Sequence, residues 1–495
     1  MLVSKYKLVQ IALVGGVFFG FVINGKAQNE FDVLRYSNIE HYGDARFNAM
    51  GGSFGALGAN MSSLSINPGG LGVFKSSDFS FTPSFHYNYS ESLADNTLGT
   101  DGKLNFHFSN IGIVGTFEAS NGWRSFNMSV GYNRLANYNR SVTINSTTDS
   151  SFLSTYTDEL NSFDFSQGGD IAEMFPFTAN LGYQTYLVNP MAADSTKFDH
   201  VFKDSKNIKQ KTNIETKGGS GETYFAMGGN YGDKLFIGGL IGIPSVRYEY
   251  NRFYRETSEE GDTLTDFTAF SVNENIKTSG AGVNFKLGMI YSFSDWFRFG
   301  VAFHTPTVYG LSDSWETTVV SENKNGEKLT EKSPYGTFDY IVTTPYRFIT
   351  SGAFVFSRYG VLNVDYEYVD YSTARIKQDN SFGVGADFSL ENQAIRSNFE
   401  STHNIRMGTE WRLDPFRFRA GYRFQGNPLD SKFNADYGSN LYSAGIGIKQ
   451  DEYYFDVAYA MRKYNSVTSI IAQHGDYATV DLTDHYLSLT LGFRF

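Results

Sequence analysis

The last eleven residues of the chain, HYLSLTLGFRF, alternate without a miss. Leu487, Leu489, Leu491, Phe493 and Phe495 fall on one side, and Ser488, Thr490, Gly492 and Arg494 on the other. Successive side chains of a strand point to opposite faces, so this segment reads as a strand with one apolar and one polar face. The pattern recurs. In FSFTPSFHYNY (79–89), Phe79, Phe81, Phe85, Tyr87 and Tyr89 oppose Ser80, Thr82, Ser84, His86 and Asn88. In FRFRAGYRF (416–424), Phe416, Phe418, Ala420, Tyr422 and Phe424 oppose Arg417, Arg419, Gly421 and Arg423. One such strand fits a soluble sandwich; a series of segments about ten residues long is what a transmembrane barrel requires. Lipid offers no water to unpaired N–H and C=O groups, so such a sheet must close on itself.

The alternation predicts strands at 77–90, 105–118, 124–139, 221–231, 235–250, 277–293, 296–310, 340–357, 361–373, 399–413, 416–426, 440–450, 453–463 and 484–495. Fourteen is an even number, as in single-chain outer-membrane barrels. Connections after even-numbered strands are tiny, such as GDK at 232–234, SD at 294–295 and DP at 414–415. Those after odd-numbered strands are long, from 427–439 to 140–220. Short turns on one rim and long loops on the other are the outer-membrane pattern, periplasm below and exterior above. A phase slip from Phe106 and Phe108 to Ile111 and Ile113 predicts a β-bulge near Ser109-Asn110. Pro83, Pro244, Pro306 and Pro345 each remove a ladder donor and mark either a bend or a side opening in the wall. Trp296 and Trp411 are placed at the membrane interfaces.

Composition agrees with this architecture. Of 495 residues, 33 are Tyr, 45 Phe and 50 Gly, with 10 Pro and no Cys. The mean hydropathy of −0.31 is compatible with a membrane barrel, because every second residue faces the lumen. At the N-terminus, Lys5 and Lys7, the apolar run Ile11–Ile23 and Gly25-Lys26-Ala27 read as a signal peptide spanning 1–27. Removing Lys5, Lys7 and Lys26 with it takes the net charge from −11 to −14, which disfavours nucleic acid as a partner. The absence of Cys excludes a disulfide framework and Cys-ligated metal.

Residues 28–76 precede the barrel, 77–495, and are rich in small residues: DARFNAMGGSFGALGANMSSLSINPGGLGVF at 44–74. Eight strands already enclose a lumen that side chains can fill, so a fourteen-stranded barrel leaves room for this segment as a plug. GDARFNAMGGSFGAL and NPGGL resemble the N-terminal hatch of the FadL/TodX family of outer-membrane transporters of long-chain fatty acids and other hydrophobic compounds. Gly43, Arg46, Met50, Gly51, Gly52, Phe54, Asn67, Pro68, Gly70 and Leu71 fit the hatch pattern, while Ser53 and Gly69 stand where the family has alanines. LGMIYSFSDWFRFGVAFHTPT (287–307), TPYRF (344–348) and VDYEYVDYS (364–372) extend the likeness over nearly the whole mature chain. The resemblance implies an all-β, fourteen-stranded antiparallel transmembrane barrel with a lumenal hatch. It implies passive movement of a hydrophobic molecule through a lumenal pocket and a lateral gap, released by the hatch. The family's gap lies at a kink in the third strand, where Gly131 is the matching position.

The tenth and eleventh strands direct Arg406, Arg412, Arg417, Arg419 and Arg423 into the lumen with Glu410, and the ninth adds Asp365 and Glu367. This is either a ligand-carboxylate site or a ladder of ion pairs bracing wall and hatch. In the loop at 140–220, Phe175, Phe177 and Leu181 lie in an unusually apolar stretch, read either as a first-contact groove or as a helix over the barrel mouth. No nucleophile, His and orienting group stand in register, so no catalytic residue, metal or cofactor is expected. Haem uptake, with His41 or His474 as axial ligand, is the alternative function, and a structural or adhesive barrel the second. Expected partners are the outer-membrane bilayer of a Gram-negative cell, a hydrophobic ligand and, through the strand ending at Phe495, the barrel-assembly machinery. The barrel is expected to act as a monomer.

Overall fold

The computed structural model describes residues 29–495 apart from 166–167, 380–386, 434–435 and 472–475. The expected signal peptide, 1–27, and His474 lie outside the described residues. Fourteen antiparallel strands form one closed sheet. They are β1 (Asp78–Ala94), β2 (Thr97–Glu118) and β3 (Trp123–Asn137, continued by Arg140–Thr148). Next come β4 (Ile208–Tyr231), β5 (Leu235–Thr257), β6 (Phe267–Ser292) and β7 (Phe297–His304, continued by Val308–Asn323). The wall goes on through β8 (Gly336–Thr343, continued by Arg347–Phe356), β9 (Gly360–Asp370, continued by Arg375–Gln378) and β10 (Ser401–Leu413). The last strands are β11 (Phe416–Gln425), β12 (Ser439–Lys449), β13 (Tyr453–Ile471) and β14 (Asp476–Arg494). Pairing of β1 with β14, from Asp78–Arg494 to Leu93–Thr479, closes the barrel.

Exposure alternates along the middle of the strands as the sequence predicts. On β1, Phe85 and Tyr87 are exposed while Ser84, His86 and Asn88 are buried. Leu287, Leu491 and Phe493 likewise face outward. The bulge forms at Ser109, which is skipped between the pairs Thr82–Asn110 and Pro83–Phe108. All four prolines fall at interruptions. Pro306 and Pro345 divide β7 and β8 at one level, where the Thr344 N–H donates to the Thr307 carbonyl at 2.9 Å. The Thr307 N–H donates to the Thr344 hydroxyl at 2.9 Å, so these breaks are bends bridged by hydrogen bonds.

The expected outer loops need one correction. β1 and β2 run on to a two-residue turn at Asp95-Asn96, both at positive φ, and β6 is 26 residues long. A tilted strand needs only about 9–11 residues to cross the hydrocarbon. The strands therefore stand well clear of the membrane, and beyond it both faces meet water. The apolar alternation fades there, which is why SESLADNTLGTDGKLN (90–105) reads as a loop in sequence.

The 149–207 connection folds into a lid containing α3 (Leu153–Ser162), α4 (Ile171–Met174) and α5 (Ala179–Gln184). Its core joins Phe152, Tyr156, Leu160 and Phe202 to Tyr254 and Phe270 of the extended strands. The N-terminal segment contains α1 (Glu30–Ser37) and α2 (Ala45–Ala49), and its side chains pack against inward residues of the wall.

Candidate functional site

Small residues let the N-terminal segment approach the wall backbone to backbone. A Cβ on Gly421 of β11 would lie 2.2 Å from the Gly51 nitrogen, and one on Gly238 of β5 2.2 Å from the Pro68 carbonyl oxygen. Gly51 and Gly52 both have positive φ, +64° and +77°, a conformation that side chains resist. The Met50-Gly51-Gly52 turn is thus fixed by sterics on two counts. Asp44 caps α2 by accepting from the Phe47 N–H at 2.8 Å. Arg46 donates from Nε to Glu410 at 2.8 Å. The Phe54 and Gly55 N–H groups converge on the Asp365 carboxylate at 2.9–3.2 Å. Asn67 accepts from the Gly69 N–H at 2.9 Å and donates to the carbonyls of Gly55 at 2.6 Å and Met289 at 3.1 Å. Gly43 packs against Ser62, Gly70 against Gly58, and Leu71 is fully buried.

Higher in the lumen, α1 begins at an Asn29 capping box and rests on an aromatic wall. Val33, Leu34 and Tyr36 cluster with Tyr309, Tyr340, Val342 and Tyr371. The Arg35 guanidinium lies 4.2 Å from the centre of the Tyr248 ring. Phe31 meets Phe399 at 6.0 Å, and Asn398 donates to Glu30 at 3.3 Å. Asn398 ends α6 (Ser389–Asn398), which belongs to the connection between β9 and β10. The segment therefore runs from the long-loop side of the barrel down to β1.

Between α1 and α2 the chain is tied to β3. Glu40 and His41 N–H groups donate to the Leu135 carbonyl at 2.8 and 3.2 Å, and the Tyr42 N–H to the Arg134 carbonyl at 3.0 Å. These acceptors sit at an irregularity of β3 between Arg134 and Ala136. On its other edge β3 pairs with β2 only from Asn133–Asn110 to Ser125–Glu118. Among the described residues, Thr97–Phe108 of β2 has a ladder partner on β1 alone. The resulting window is spanned by side chains. Asn137 of β3 lies 3.5 Å from His107 of β2, His107 contacts Ser109 at 3.2 Å, and the Tyr42 ring stands behind at 6.1 Å. Above it, Asp101 accepts from the Ser141 and Thr143 hydroxyls at 2.8 Å. Gly131 is paired on both sides, with Gly112 and Tyr224, so the break lies just beyond it at Asn133.

The arginines occupy three rungs rather than one site. Arg412 faces Arg417, Glu410 faces Arg419, and Arg406 faces Arg423 across β10 and β11. Arg417 pairs with Asp414 at 2.6 Å, and Arg419 with Glu410 at 2.8 Å and Asp456 at 2.6 Å. Arg406 pairs with Glu367, which also binds Arg347 at 2.7 Å. Arg423 donates to the Glu40 carbonyl, and Arg412 reaches Glu410 at 3.4 Å. Two of the five, Arg406 and Arg419, therefore brace strand against strand, Arg412 pairs within β10 and Arg417 with the turn before it, and Arg423 braces wall against segment. Phe175 and Leu181 are buried in the lid core and present no groove; half-exposed Phe177 meets Trp315 at a tilt, ring centres 5.8 Å apart. His41 is buried beside a cavity of about 20 Å³, room for a water and far too small for a porphyrin. Tyr42, His107 and Asn137 escaped the sequence reading. Their convergence depends on register between strands, and only the slip at Ser109 hinted at it.

A closed fourteen-stranded membrane barrel whose N-terminal segment is anchored among its inward side chains defines the class. No protein-family model and no curated protein matches the chain. Solved structures do. A Pseudomonas aeruginosa FadL homologue aligns with TM-score 0.54 at 12% identity, covering 93% of this chain and 100% of that one. The P. putida toluene transporter TodX gives 0.53 at 11%, covering 92% and 99%, and the Ralstonia pickettii toluene transporter TbuX 0.52 at 12%, covering 92% and 99%. The chain has the FadL/TodX fold; at such identity the likeness is one of fold.

Proposed function

We propose that the protein passes hydrophobic small molecules, long-chain fatty acids or similar amphiphiles, across the outer membrane without an energy source. The short-turn rim faces the periplasm and the lid the exterior. The N-terminal segment, residues 28–76, acts as the hatch. The window between β2 and β3 carries this reading, because an apolar molecule leaves a polar lumen for lipid wherever the wall opens sideways. Each buried CH₂ is worth about 0.8 kcal/mol to such a molecule. The strap from Glu40 to Tyr42 is bonded to β3 beside that window, so a ligand that displaces α1 from its aromatic wall loosens the window's inner support. The solved barrels of the same fold include toluene transporters, which supports an apolar cargo.

The test is mass spectrometry, with a visible absorption spectrum, of what co-purifies in mild detergent. Single-tailed amphiphiles near one per barrel, lost on deleting residues 28–50, are expected. An empty barrel, or a Soret band, would overturn the reading.

A further inference from the structure

The outer wall carries a groove of about 880 Å³ that the transport reading does not use. It follows two adjacent rows of outward positions across six strands. One row is Phe126, Gly229, Ile237, Met289 and Val301, and the other Met227, Gly239, Leu287, Phe303 and Phe348. Gly239 puts no side chain on this face, and Gly229 is covered only by the Trp123 ring, 2.8 Å from where its Cβ would lie, so the wall is recessed between exposed Phe126, Met227, Ile237, Leu287 and Phe303.

The recess has a cause on the other side. Gly228, Gly238 and Gly288 are neighbours in register, and Pro68-Gly69 lies against this inner row. Each glycine pair on β4 and β5 thus serves both faces: one member seats the N-terminal segment and the other floors the groove. The β4–β5–β6 ladders stay hydrogen-bonded here, so the groove is a seat and not a portal.

Its course is oblique. At the β3 end, Phe126 is close to the strand start at Trp123, whereas Phe348 of β8 lies far from the strand end at Phe356. Five strand-to-strand steps of about 4.8 Å give a length of about 24 Å. Trp123 and Tyr231 meet edge-to-face at 5.4 Å at the shallow end, the kind of aromatic pair found at headgroup level. Exposed Arg124, the second residue of β3, and exposed Lys234, on the β4–β5 turn, sit beside them, Arg124 with Asp233 at 3.4 Å.

We infer that this groove binds one glycerophospholipid of the periplasmic leaflet. Its phosphate lies by Arg124 and Lys234, and an acyl chain runs from Trp123 toward Phe348. The inference rests on the membrane orientation given above, but not on the cargo.

Native mass spectrometry of the full-length barrel, exchanged into nanodiscs of phosphatidylethanolamine and phosphatidylglycerol and then released into mild detergent, tests it. One phospholipid is expected to stay on the wild type. Gly239→Leu fills the groove, since the nearest atom to its Cβ is a Leu287 methyl at 3.4 Å, and loses that lipid while the heat-modifiable gel shift of a folded barrel persists. The pair Arg124→Gln and Lys234→Gln, at the exposed strand ends, lowers retention without touching the groove. Equal retention by wild type and Gly239→Leu, or a wild type that keeps no phospholipid, overturns the proposal. A barrel that co-purifies no single-tailed amphiphile but keeps its phospholipid would overturn the transport reading and leave this site standing, so the two readings fail separately.

Discussion

Arg46 of the N-terminal segment and Glu410 of β10 form a two-point contact, Nε to Oε2 at 2.8 Å and Nη2 to Oε1 at 3.3 Å. Glu410 also takes Arg419 at 2.8 Å. A single carboxylate therefore ties the segment and the wall together. Removing one partner of a buried pair leaves uncompensated charge and costs about 3–5 kcal/mol. Glu410→Gln is expected to lower the melting midpoint and to speed hydrogen exchange across 44–60 more than in the strands.

Backbone contact makes Gly421 intolerant. Its Cβ would meet the Gly51 nitrogen at 2.2 Å, whereas at Gly352 the nearest atom is 3.7 Å away. Gly421→Ala is expected to destabilise by about 1–3 kcal/mol, the usual cost of overpacking, and Gly352→Ala to be near neutral. Denaturation in mixed detergent compares them directly.

The window predicts a gain of passage. His107→Ala with Asn137→Ala removes the side chains that span it, and entry of 1-N-phenylnaphthylamine into barrel-bearing liposomes is expected to rise severalfold. Unchanged entry would place the exit elsewhere.

In the lid, Leu181 is fully buried and Phe177 only half-buried. Leu181→Ala is expected to cost about 2–5 kcal/mol of lid stability, seen as faster proteolysis between 149 and 207. Phe177→Ala is expected to change that rate little.

Burial raises the Glu159 carboxyl of α3 above its ordinary range, with hydrogen bonds from Thr178 and Ala179 offsetting part of the rise. A raised pKa in the folded lid means a contribution to stability present at pH below the ordinary carboxylate value and lost as pH rises through the raised one. Lid melting, followed by Trp315 fluorescence, is expected to shift down from pH 4 to 7, and Glu159→Gln to flatten the change.

Alternation, turn lengths and the small-residue segment carried the fold because lipid imposes them locally. Each outward residue of a spanning strand must be apolar whatever its neighbours do, so Leu487 to Phe495 declare a wall without reference to any other strand. MGGSF and NPGG are legible for a similar reason, since positive φ and close approach leave few residue choices. Register between strands, by contrast, is a relation among distant segments. It brought His107 beside Asn137, spread the five arginines over three rungs, and aligned Gly228, Gly238 and Gly288 over the seat of Pro68, while packing of the lid buried Phe175 and Leu181. A polar side chain in the lumen looks the same in sequence whether it braces, gates or binds. The partner that fixes its role lies on another strand, and only the closed sheet brings the two together.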